Sequence, residues 1–148
     1  MPLLRAITNY FSYFTIQSNI LVALSFTVAV VFAESAAERF FARPTVRTGL
    51  AVYITVTGVV YWLILSDGLH PIDMKQVATV VLHLVVPVVY ISDWIVSSAR
   101  GAVTWASVLR WPLFPLAYAT YTLVRGSLTG YYPYPFINAA KLGYARVG

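Results

Sequence analysis

Two side chains in this sequence could do chemistry from inside apolar runs: Thr15 in FSYFTIQSN and His83 in LHLVVP. A hydroxyl and an imidazole brought together are the minimum for nucleophilic catalysis. The imidazole takes the hydroxyl proton while the oxygen attacks a carbonyl carbon. Ser18 and Asn19 follow Thr15 at three and four residues, so on a helix the three share one face. The Asn19 amide or the Ser18 hydroxyl could then donate to a developing oxyanion. An orienting carboxylate is harder to place. Asp93 lies ten residues beyond His83, ~15 Å along a helix and out of reach, which leaves Asp67 and Asp73 in the preceding loop.

The elements that must position these groups are set by composition. Of 148 residues, 59% are hydrophobic and 10% charged, and there is no cysteine. Soluble domains carry roughly 25% charged residues, so the expected class is all-α, a polytopic membrane helix bundle forming a single domain over residues 1–148. Four apolar segments can be drawn, at about residues 10–33, 46–65, 76–96 and 105–124. Each has the roughly 20 residues needed to cross a ~30 Å hydrocarbon layer. The short connections ESAAERFFARPT, SDGLHPIDMK and SSARGAVT make successive helices antiparallel neighbours. Residues 131–148 read as an interfacial aromatic and proline cap followed by an amphipathic tail. The length and polar first half of the opening segment argue against a cleaved signal peptide.

Counted along these helices, Thr15 lies ~7 Å from Tyr10 and His83 ~10 Å from Gln76. Both are measured from the same side of the bundle, so the two reach similar depths whichever way the protein is inserted. For that orientation, the ten Lys and Arg divide five and five between the two sides. Arg39, Arg43 and Arg47 are concentrated in the first loop, which tips loops one and three, the latter with Arg100, towards the cytoplasm. These cations are scattered singly, so they read as headgroup and topology charges rather than a nucleic-acid surface.

Further polar groups mark the ends. Tyr118, Tyr121, Thr122 and Arg125 cluster near one end of the fourth segment, where Tyr121 could present a hydroxyl and Arg125 could hold an anionic headgroup or snorkel. YYPYPF, from Tyr131 to Phe136, is an interfacial anchor that could also roof the site. Trp94, Trp105 and Trp111 mark the opposite interface, where Asp93 would cap its helix or meet Arg100. His70, before Pro71, reads as a solvated loop residue. Pro87 and Pro115 would bend their helices. No HExxH, GxSxG or phosphate-cradling glycine loop is present, and two separated histidines do not make a metal site. No cofactor is therefore expected. Without an intramembrane acid a proton-coupled transporter is disfavoured. The rival to catalysis is packing, in which Thr15, Asn19 and His83 are interhelical hydrogen-bond glue in a lipid-binding or assembly protein.

Three stretches, FSYFTIQSN, LHLVVPVVYISDW and PLAYATYTLVRGSLTGYYPYPF, carry a resemblance. They resemble signatures of a bacterial family of small multi-helix membrane proteins, itself similar to the androgen-induced membrane proteins of animals. Those are threonine hydrolases that cleave fatty acid esters of hydroxy fatty acids. The resemblance implies a Thr nucleophile at Thr15 and a His base at His83. Membrane lipids and a lipid ester substrate would be the partners, and a homo-oligomer is compatible with it. It also implies a six-helix unit, of which this chain would lack a helix at each end. A pocket walled partly by those helices would then be incomplete.

Overall fold

The computed structural model describes residues 2–68, 73–98 and 103–147; His70 and Arg100 lie outside them. Every regular element among the described residues is helical, as the composition predicts. Among the described residues, three rods are long and apolar enough to cross a membrane. The first is α2, Phe14–Val31. The second is α4, Pro44–Val60, prolonged by a π-turn over Tyr61–Leu65. The third is continuous through α5 (Met74–Val80), a π-turn (Val81–Val85) and α6 (Val86–Ser97). They contain 18, 22 and 24 residues, or ~27–36 Å at 1.5 Å per residue.

The expected fourth span differs. It is divided into α7, Trp105–Val108, and α8, Leu113–Thr129, which has 17 residues. Pro112 lies at the junction as the N-cap of α8, and without an N–H it cannot continue the helix before it. α8 then runs on past residue 124 and stops at Gly130, whose φ of 71° gives it the left-handed closure that glycine tolerates.

The start of the first span also differs. A separate helix, α1, covers Pro2–Phe11, and α2 begins at Phe14 rather than near residue 10. α1 exposes Leu3, Leu4, Ile7 and Phe11, the apolar face of a helix suited to lie along an interface. The corner between α1 and α2 is held by its polar groups. Gln17 Nε2 donates to the Phe11 carbonyl at 3.1 Å, and the Tyr118 phenol donates to the Ser12 carbonyl at 3.0 Å. Ser12 Oγ bonds the Thr8 carbonyl at 2.6 Å and the Tyr121 hydroxyl at 2.9 Å. The first loop carries its own short helix, α3 (Ala36–Phe41), capped by Ser35.

Where the rods meet, Val22, Leu50, Ala51, Ile54 and Tyr90 form the core, with Phe26, Val86 and Trp94 against it. The outer faces are apolar too: Leu63, Ile64, Val88, Val89 and Val96 are all exposed. Such continuous apolar surface is foreign to a monomer in water and natural to one in lipid. At one end Arg47 donates to Asp93 Oδ2 at 2.6 Å and to Ser97 Oγ at 2.5 Å. Asp93 therefore pairs with the start of α4. Antiparallel packing places Arg47 opposite the end of α6, which sequence distance hid.

Candidate active site

The site begins with a backbone defect. Pro87 has no N–H to offer the carbonyl four residues back, at His83, and its ring crowds that carbonyl. The helix answers by widening: Val86 N–H reaches back to the Val81 carbonyl, five residues away, in the π-turn. The Leu82 and His83 carbonyls then take partners from other helices. Asn19 Nδ2 on α2 donates to Leu82 at 3.2 Å, and Trp62 Nε1 donates to His83 at 3.2 Å. Gly58 lets α4 approach this point, since a Cβ there would stand 2.8 Å from the His83 carbonyl oxygen. The His83 ring stacks on Tyr61, with centroids 3.9 Å apart and planes 25° from parallel.

Both ring nitrogens of His83 are then assigned. Nδ1 lies 2.9 Å from the Thr79 carbonyl oxygen. A carbonyl only accepts, so Nδ1 carries the proton and Nε2 keeps its lone pair. Nε2 lies 3.2 Å from Thr15 Oγ1. The orienting group sought among Asp67 and Asp73 is thus the Thr79 carbonyl, one helical turn before the histidine. Asp73 instead caps α5, accepting from Gln76 N at 2.6 Å.

Thr15 is the second residue of α2, which explains why its hydroxyl is available. Helical threonines normally bond the carbonyl four residues back, and Thr8, Thr55, Thr57, Thr120 and Thr129 all do so here. For Thr15 that carbonyl belongs to Phe11, beyond the corner and already bonded by Gln17. The hydroxyl turns to His83 and to the Tyr134 hydroxyl, 3.3 Å away. The Thr15 backbone N–H, in the helix's unpaired first turn, donates to the same phenol oxygen at 3.3 Å. Thr15 and Tyr134 are 8% and 9% exposed. Burial pushes the Tyr134 phenol above its ordinary value, so it keeps its proton at neutral pH.

Beside this cluster lies an apolar recess of about 220 Å³, walled by Phe14, Val56, Val60, Pro115 and Phe136, with Thr15 and Tyr134 at its edge. Tyr134 is delivered by the aromatic cap, which seats on α8 where Tyr132 lies against Gly126; a Cβ on Gly126 would meet that ring at 2.1 Å. The cap is pinned again by the Tyr131 hydroxyl on that of Tyr13, at 3.2 Å. Burial and that bond push the Tyr131 phenol up to about 12.

The other expected site residues fall elsewhere. Asn19 Nδ2 is divided between the Thr15 carbonyl, at 2.8 Å, and the Leu82 carbonyl, so it has no free donor for an oxyanion. Ser18 Oγ is buried without a partner among the described residues. Tyr121 bonds Ser12, and Arg125 donates to Asn9 Oδ1 at 2.6 Å and lies over the Tyr131 ring. Both secure the α1–α2 corner and the cap, and neither lines the recess. Tyr134 was missed as a site residue; its signal was the tyrosine-proline run expected to roof the site. Comparison with protein-family models, with curated proteins and with solved structures found no match.

Proposed function

We propose that this protein is an intramembrane hydrolase of lipid acyl esters, with Thr15 as nucleophile and His83 as general base. One observation carries the reading: Nε2, with Nδ1 committed to the Thr79 carbonyl, faces the Thr15 hydroxyl at 3.2 Å. That distance is at the edge of the ~2.6–3.2 Å expected for a working nucleophile and base. The recess would take the acyl chain and place the ester carbonyl against Thr15 Oγ1. His83 takes the hydroxyl proton as Oγ1 bonds the carbonyl carbon, then returns it to the leaving alkoxide as the ester C–O bond breaks. Water, activated by the same imidazole, releases the acid from the acyl-threonine. The setting is a multi-pass protein of a bacterial plasma membrane, with membrane lipids as partners; the three apolar rods and the sequence resemblance support it.

A second reading rests on Asn19, whose amide ties the Thr15 and Leu82 carbonyls as glue would. In that case the bundle binds lipid or supports an assembly without catalysis. Turnover of p-nitrophenyl acyl esters by the purified protein in detergent separates the two. Hydrolysis should appear in the wild type and vanish in Thr15→Ala and His83→Ala at unchanged melting temperature. Variants that only melt earlier, with a wild type that never turns over, would establish the glue.

A further inference from the structure

Of the expected oxyanion donors, Asn19 is occupied and Ser18 does not line the recess where the ester carbonyl would lie. The ester carbonyl oxygen needs others as its π-electron pair moves onto it. A phenol oxygen already stands 3.3 Å from both Thr15 Oγ1 and Thr15 N. An oxygen on the carbon that Oγ1 attacks would have to lie in this neighbourhood. The amide is one of the unpaired N–H groups of a helix start, where partial positive charge collects. The phenol is buried and meets Thr15 twice, at Oγ1 and at the backbone N–H.

We propose that Tyr134 is a catalytic residue, its phenol O–H and the Thr15 backbone N–H together forming the oxyanion hole of the site. This rests on the hydrolase reading above. Without substrate the two donors are spent on each other and on Oγ1: the amide bonds the phenol oxygen, and the phenol bonds the nucleophile. When the ester carbonyl enters, both turn to its oxygen. As Oγ1 bonds the carbon, the π pair becomes an oxyanion held by these two donors, while the Oγ1 proton passes to His83 Nε2. Collapse restores the carbonyl, breaks the ester C–O bond, and sends the His83 proton to the alkoxide. The phenol keeps its proton throughout. The cap residue thus completes the site by donating one hydrogen bond that strengthens as charge develops.

Tyr134→Phe keeps the ring that packs beside Tyr13 and Phe136 and deletes the donor. With a p-nitrophenyl acyl ester, kcat should fall by roughly 10²–10³-fold, the loss typical of one oxyanion donor, with KM and melting temperature near wild type. Genetically encoded 3,5-difluorotyrosine at position 134, assayed below its own phenol pKa, should shift kcat, because a more acidic phenol is a stronger donor. A packing role would leave kcat unmoved. If Thr15→Ala is dead while Tyr134→Phe turns over at the wild-type rate, or loses rate only in proportion to its folded fraction, the oxyanion role is overturned and the hydrolase reading stands. An equally insensitive difluorotyrosine variant overturns it too. A wild type with no turnover overturns both.

Discussion

The two ends of the bundle place polar groups in lipid-facing helices in opposite ways. At the Arg47 end, guanidinium meets carboxylate at 2.6 Å, and Ser97 and the Trp94 indole on Thr48 complete the bonding. At the Thr15 end the bonds instead join groups that can exchange a proton. Each backbone carbonyl released by the π-turn is taken by a neighbouring helix, yet an imidazole lone pair and a threonine hydroxyl are left facing one another beside an apolar recess. A closed set of bonds fixes helices, whereas a hydroxyl held by a base next to space for a substrate can react. The presence of polar residues in an apolar helix does not distinguish these cases; the fate of each lone pair does.

Substitutions at the two ends should therefore have opposite consequences. The largest effect is expected from Thr15→Ala and His83→Ala, each lowering ester hydrolysis at least ~10³-fold, since paired catalytic groups fail together. A steady-state assay beside a thermal melt checks this, and the double variant should be no worse than either single. Next comes Gly58→Ala, whose methyl would overlap the His83 carbonyl. Displacing the imidazole should cut kcat on the order of tenfold to a hundredfold, and overpacking should cost about 1–3 kcal/mol of stability. At the other end, Arg47→Ala should reverse the pattern. Stability falls by about 1–2 kcal/mol because Asp93 loses a charged partner that is only partly shielded from solvent, and kcat per folded molecule stays at wild type. The smallest change is Gln17→Ala, which strips the Phe11 carbonyl of its partner and should cost about 1 kcal/mol. It also offers Thr15 the carbonyl that its hydroxyl is denied, so kcat should fall more than the melting temperature suggests.

The all-helical class was legible because apolar runs of membrane-spanning length have few other solutions in lipid. Thr15 and His83 were legible as polar groups where polarity is expensive. What stayed hidden is carried by backbone. The corner at Ser12 and Tyr13 depends on Gln17 and Tyr118 satisfying main-chain carbonyls, and the orienting acceptor of His83 is the carbonyl of Thr79; neither follows from side-chain type. The helix starts differ from those expected as well, with α2 beginning at Phe14 and α5 at Met74, so the two residues are not equally far along their helices. Thr15 and His83 meet all the same, at 3.2 Å. Tyr134 reaches Thr15 across 119 positions of chain, a juxtaposition that no local pattern encodes, although the prolines and tyrosines around it marked a built segment.

Covalent capture distinguishes a nucleophilic Thr15 hydroxyl from one that only holds helices together. Purified protein treated with a fluorophosphonate and digested should give one phosphonylated peptide, with the adduct on Thr15 and none formed in His83→Ala. A folded wild type that remains unmodified, or carries its adduct on another residue while Thr15→Ala labels equally, would show that Thr15 is not the nucleophile.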